Sequence, residues 1–232
     1  DGTNRQGSAL TPVGGLSACA AGDLPAAQAL VASRRWDPQR ATDRKGSTAL
    51  MWAAGGGHLD VVCWLLESAR VDIDARNYAH RTALQWACKM GRSTVAAHLL
   101  GAAADPALRM KDDSTAFDWA VLSGDRATME LLASHPKVDI NAMNRFGCAA
   151  VQWAAASGSV EALRWLQERG LSLSHVNGAN HGAVMKAAWR GHMRALEWLL
   201  VDAEGPRLTG QLVDAEGKSV AGAIRQNGQR EA

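Results

Sequence analysis

The chain has 232 residues, with 25 Lys and Arg against 23 Asp and Glu for a formal net charge of +2; hydrophobic residues make up 47% and charged residues 21%. This balance suits one large or two small globular domains and excludes a disordered chain. Mean hydropathy is −0.16, no apolar run approaches the ~18–20 residues of a membrane span, and so small a net charge argues against a strongly basic nucleic-acid binder.

Residues 1–15 are rich in Gly, Thr and Asn and are expected to be extended or mobile. Residue 1 is Asp rather than Met, which leaves open a start trimmed of its initiator or of a targeting segment. From residue 16 the chain repeats itself. The first unit, L-S-A-C-A-A-G-D-L at 16–24, is degenerate and leads to a finger region that contains Trp36. Four tryptophans then mark a period: Trp52, Trp86, Trp119 and Trp153, spaced 34, 33 and 34 residues apart. They sit in the phrases T-A-L-M-W-A-A (48–54), T-A-L-Q-W-A-C (82–88), T-A-F-D-W-A-V (115–121) and A-A-V-Q-W-A-A (149–155). Gly57, Gly91, Gly124, Gly158 and Gly191 follow in register. A second apolar phrase comes after each Gly, such as L-D-V-V-C-W-L-L at 59–66 and M-R-A-L-E-W-L-L at 193–200.

One period explains the pattern. Thr48 is placed to accept hydrogen bonds from the free N–H groups of a helix start. Leu50, Ala53 and Ala54 fall on one helical face, and Ala there lets neighbouring helices approach. Gly57 supplies the left-handed residue that ends the helix. Leu59, Val62, Leu65 and Leu66 form the inner face of a second helix. Val71 to Asn77 is too short and polar for a third helix and reads as a turn, with Asp and Asn suited to it.

These features resemble the ankyrin repeat family, in which about 33 residues form a β-turn and two antiparallel helices. The best match is 46–77, and the resemblance covers roughly 16–200. It implies an all-α solenoid of helix–turn–helix pairs with β-hairpin fingers: about six repeats over 16–213, and a partial repeat or cap over 214–232. With helices ~8–10 Å apart, six repeats would form an arc of roughly 50–60 Å. The sequence departs from the pattern at Ala149 and Gly182, which replace the Thr, and at Lys186, which replaces the recurring Trp. The segment 202–217 is longer than the other fingers.

Little in the sequence points to chemistry. Cys19, Cys63, Cys88 and Cys148 form no C-x-x-C pair, which argues against a zinc site or a disulfide scaffold and for a reducing compartment. Cytoplasm or nucleus follows, with an organelle as the alternative if Asp1 is a processed terminus. Cys19 and Cys88 occupy the buried Ala position, whereas Cys63 and Cys148 fall on more exposed ones. None of the seven His has ligand spacing, and His58 and His192 take a structural place after the helix-ending Gly. Gly217-Lys218-Ser219 lacks the earlier Gly of a phosphate-binding loop, since residue 212 is Leu, and reads as a hairpin. Asp112-Asp113 reads as an exposed turn. The repeats leave no room for a catalytic domain, so no enzyme and no cofactor are expected. Trp52, Trp86, Trp119 and Trp153 are expected to pack between repeats, with a partly exposed apolar stripe as the alternative.

The resemblance implies protein binding through finger tips and the open side of the first helices. Carried over by register, the contact positions are Arg44 and Lys45; Tyr78 and Arg81; Lys89 and Met90; Lys111 and Asp112; Arg145 and Phe146; His181; and Trp189 and Arg190, with Ser47, Ser114 and Cys148 among their neighbours. A bare turn has no packing reason for Tyr or Phe, and aromatics with Arg are the usual anchors of protein interfaces. The expected function is a non-catalytic adaptor or scaffold that binds an acidic or amphipathic protein segment. The alternative is a fixed structural subunit of a larger multiprotein assembly, an organellar or membrane-associated one included, held by a neighbouring subunit. Binding of nucleic acid is disfavoured.

Overall fold

The computed structural model describes residues 13–228. The chain divides into two compact units, 1–105 and 106–232. The first holds three helix pairs: α1 (Val13–Ala21) with α2 (Leu24–Ala32), α3 (Ala49–Gly56) with α4 (Leu59–Glu67), and α5 (Ala83–Lys89) with α6 (Ser93–Gly101). The second holds α7 (Ala116–Ser123) with α8 (Arg126–Ala133), α9 (Ala150–Ser157) with α10 (Val160–Glu168), and α11 (Ala183–Trp189) with α12 (Met193–Leu200). A short 3-10 turn at Thr209–Gln211 then leads to α13 (Val220–Gly228).

Within each unit the first helices of successive pairs pack on one another. They run α1–α3–α5 in the first unit and α7–α9–α11–α13 in the second, and α4–α6 and α10–α12 form the second layer. In each unit two layers of side chains make the core. Leu50, Leu84, Phe117, Val151 and Val184, one per first helix, are at most 1% exposed, and so are Leu65, Leu99, Leu132, Leu166 and Leu199, one per second helix. Each such side chain contributes about 1.5–3 kcal/mol by leaving water. The alanines that let the first helices close up, among them Ala53, Ala54, Ala87, Ala120, Ala154 and Ala187, are fully buried.

Local chemistry sets the helix ends. Thr48, Thr82 and Thr115 hold extended backbone at the N-cap, and their hydroxyls accept from the N–H groups of Met51, Gln85 and Asp118. Gln85 and Asp118 answer by accepting from the N–H of Thr82 and Thr115, which satisfies a second free donor in each case. Gly57, Gly124 and Gly158 cap their helices in the left-handed conformation.

The fingers are tight turns. The N–H of Asp43, Asn77, Met110, Asn144, Asn177 and Asp214 each donates to the carbonyl four residues on. Extended pairing is limited, among the described residues, to the bridges Thr42–Thr48 and Val213–Ser219. A side-chain latch holds five of the six. One carboxylate or amide oxygen accepts from the N–H groups two and four residues later: Asp43 from Lys45 and Ser47, Asn77 from Ala79 and Arg81, Asn144 from Phe146 and Cys148, Asn177 from Ala179 and His181, Asp214 from Glu216 and Lys218. Met110 stands in the sixth and has no such oxygen.

Three expectations need correction. The N-terminal segment read as extended through residue 15 is helical from Val13, and its residues 1–12 lie outside the described residues. Leu59 is 38% exposed, because it is the first residue of α4 and faces outward, while Val61 joins Val62 and Leu65 in the core. Cys148 is buried, for a reason that the finger geometry supplies below.

Candidate protein-binding surface

The two units present their fingers and first-helix faces separately. In the first, Arg44 and Lys45 are exposed on the finger that the Asp43 latch shapes. The next finger is tied to it by the N–H of Tyr78, which donates to the Lys45 carbonyl at 3.0 Å. The Tyr78 ring lies over Gly46, where a Cβ would stand 3.0 Å from it, and yet Tyr78 stays 72% exposed. Arg81 is half-buried, and Lys89 and Met90 are exposed at the end of α5. Below them Trp52 and Trp86 pair with ring centroids 5.3 Å apart. Both rings are half-buried, so they pack and still border solvent. Trp119, in the second unit, is buried.

In the second unit, Lys111 is exposed and its carbonyl accepts from the Arg145 guanidinium. Arg145 also lies 3.6 Å from the Asp113 carboxylate, and its N–H donates to the Asp112 carbonyl. Arg145 is therefore spent on joining two fingers. Asp112 is half-buried and accepts from the Ser114 N–H at 3.2 Å, so the pair read as an exposed turn is only partly exposed. Phe146, beside Arg145, is 62% exposed. His181 is half-buried, with Nε2 3.6 Å from an Asp214 oxygen and its ring edge-on to Trp189 at 4.4 Å. Trp189 and Arg190 are exposed at the end of α11.

A groove of about 600 Å³ runs between these residues. It gathers Asp112, Phe146, His181, Trp189 and Arg190 from the sequence-derived set. Arg145 and Lys111 are not among its lining residues. It adds Lys186, whose ammonium sits 5.0 Å from the Trp189 ring centroid, and Trp153, which is half-buried in its lining. The register-derived set does not contain Lys186, and Trp153 is expected at such a contact only in the alternative of a partly exposed apolar stripe. The signal for Lys186 was its departure from the Trp register, a cation where the other repeats place an aromatic.

Ser47, Ser114 and Cys148, expected near the contact surface, are buried. The reason lies one repeat on. The amide nitrogen of Asn77 reaches Ser47 Oγ at 3.3 Å, that of Asn144 reaches Ser114 Oγ at 3.5 Å, and that of Asn177 reaches Cys148 Sγ at 3.5 Å. Each latch residue thus covers the base of the preceding finger. The position after the helix-ending Gly also ties repeats together. His58 Nε2 contacts the Ala20 carbonyl at 2.9 Å, His192 Nε2 the Ala156 carbonyl at 3.0 Å, and Arg92 donates to the Gly55 carbonyl. Gly217-Lys218-Ser219 closes the hairpin of the last finger, with Lys218 paired to Glu216 at 2.6 Å.

Among the described residues no group of three or more His, Cys, Asp or Glu is arranged for a metal ion, and all four cysteines are free. Burial pushes the Cys19 thiol up to about 12 and raises that of half-buried Cys63, beside which Glu67 acts in the same sense. Asp118, 1% exposed at the start of α7, is pushed up to about 6 by burial against the opposing pull of its Thr115 hydrogen bonds.

Models of ankyrin repeats match residues 16–110 in a three-copy form, and residues 117–167 and 151–200 in a many-copy form. The chain belongs to the ankyrin repeat family. It is 42% identical over 92 residues to mouse ankyrin repeat and SAM domain-containing protein 6, a match that covers 38% of this chain and 10% of that protein. It is 36% identical over 123 residues to Xenopus laevis neurogenic locus notch homolog protein 1, covering 52% of this chain and 5% of that one. Mouse ankyrin repeat domain-containing protein 63 is 41% identical over 87 residues, 36% of this chain and 22% of its own. The chain thus spans at most about a fifth of these relatives. Ankyrin repeats are generally protein–protein interaction modules and typically non-catalytic. No helix among the described residues is long and apolar enough to cross a membrane.

Proposed function

We propose that this chain is a non-catalytic adaptor or scaffold that binds a partner protein through finger tips and the open faces of its first helices. The observation that carries the reading is the exposure of Tyr78 at 72% and Phe146 at 62%, at turns whose conformation is already held by the Asn77 and Asn144 latches. A large aromatic left in water at a rigid turn is the usual anchor of an interface. Arg44, Lys45, Lys89 and Met90 extend the contact in the first unit, and Trp189 and Arg190 in the second. Their sign favours an acidic or amphipathic partner segment.

The test is crosslinking mass spectrometry on the chain in its source extract, with the wild type and a Tyr78→Ala, Phe146→Ala double variant. The expected result is a specific protein crosslinked to the wild type and lost from the variant, while both give the same thermal melt. Equal recovery by both removes the anchors, and no specific neighbour at all removes the binding reading.

A second reading, a fixed subunit of a larger assembly, is favoured by large apolar side chains left in water elsewhere in the second unit. Val201 is 72% exposed and Val213 44%. A constant stoichiometric neighbour on size exclusion distinguishes it from a reversible adaptor.

A further inference from the structure

The geometry points to the groove of the second unit as a docking site for one kind of segment: an extended stretch of a partner protein in which a large apolar side chain stands next to an Asp or Glu. This rests on the protein-binding reading above and gives it a location and a ligand chemistry. The groove, at about 600 Å³, lies within the ~300–1,000 Å³ range of ligand pockets. Its apolar walls are far apart in sequence. Phe146 rises from one finger and Trp189 from the end of α11, and the half-buried Trp153 lines the space with them. An apolar side chain inserted there would remove from water two aromatic rings that the fold leaves exposed.

The charge of the groove is net positive. Lys186 and Arg190 both line the groove, and neither is in an ion pair among the described residues. The one carboxylate in the lining, Asp112, is turned to the Ser114 N–H of its own finger. The Lys186 ammonium rests on the Trp189 ring, 5.0 Å from its centroid, so a carboxylate that pairs with Lys186 also places its neighbouring side chain against that ring. Cation and aromatic then act as a single subsite with one polar and one apolar half.

The test is selection of a random 12-residue phage-displayed peptide library on the full chain, followed by fluorescence anisotropy with labelled copies of the enriched peptides. The expected result is enrichment of peptides that pair Leu, Ile, Phe or Trp with Asp or Glu. Their affinity should fall at least tenfold in Lys186→Glu, Arg190→Glu protein, fall less in the neutral Lys186→Gln, Arg190→Gln protein, and stay unchanged in Arg40→Glu protein, a charge reversal at an exposed residue outside the groove. Added salt should weaken it as well. Enriched peptides that lack the acidic–apolar pair overturn the proposal. So do peptides that tolerate the charge reversal, and in both cases the general binding reading still stands. No enrichment at all also overturns it, and leaves the crosslinking experiment to decide the general reading.

Discussion

The side-chain oxygen of Gln211 accepts a hydrogen bond from the Val184 N–H at 3.2 Å, at the start of α11. In α3, α5 and α7 the Thr at the N-cap makes this bond. Here the cap arrives from 27 residues downstream, and its amide nitrogen donates onward to the Ser174 carbonyl at 3.0 Å. It fits only because residue 182 is Gly: a Cβ there would lie 2.1 Å from Gln211 Oε1.

A change toward the repeat pattern should therefore fail at this site. Gly182→Thr supplies the standard cap residue but collides with Gln211, and is expected to destabilise by about 1–3 kcal/mol. Gln211→Ala alone should cost a similar amount, since it strands a buried N–H. The double variant should be less destabilised than the two singles added together. Urea midpoints of the four proteins form the cycle that reads this coupling.

The finger latches predict a second effect. Asn144 is 7% exposed and accepts two backbone N–H bonds. Asn144→Ala should cost about 1–3 kcal/mol, whereas Met110→Asn should destabilise, because Met110 is 4% exposed in the core and the Ser114 N–H is already bonded to Asp112. Hydrogen exchange at the N–H groups of Phe146 and Cys148 should accelerate in the first variant.

Asp118 predicts a pH dependence. The unfolded chain releases this proton near 3.8 and the folded chain near about 6. Below 3.8 both states hold the proton and the site leaves stability unchanged. Between the two values the folded state keeps a proton that the unfolded state has lost, so stability falls as pH rises. Above about 6 the cost is constant, on the order of 2–3 kcal/mol. Asp118→Asn keeps an acceptor for the Thr115 N–H, as Gln85 and Gln152 do in their own repeats. It should raise stability at pH 7 and flatten its slope between pH 4 and 6, as measured by urea unfolding across that range. A variant no more stable than wild type at pH 7 would rule out this account.

Thiol labelling separates the cysteines. Cys63 is the half-buried one, 3.4 Å from His98 Nε2. Under native conditions a disulfide reagent should modify Cys63 alone, and slowly, because its thiol is held up by burial. Cys19, Cys88 and Cys148 should react only on unfolding. Rapid native labelling of Cys148 would show that the Asn177 amide does not cover it.

The sequence by itself determined the period, the helix starts at Thr48, Thr82 and Thr115, the stops at Gly57, Gly124 and Gly158, and the burial of Leu50, Ala53 and Ala54. These depend on contacts within one helical turn or at a fixed repeat distance, and both leave a regular trace in the chain. The same register brought Tyr78 and Phe146 to exposed turns. It misplaced Cys148, Ser47 and Ser114, because their burial depends on an Asn amide about 30 residues away that fills a space no local pattern records. The tertiary structure alone decided that Phe146 shares one groove with Lys186 and Trp189, and that Gln211 caps α11. The groove joins a finger to a helix that local spacing does not relate. Gln211 comes from the longer segment after α12, which breaks the period, so spacing stops predicting neighbours there and only the packed fold supplies them.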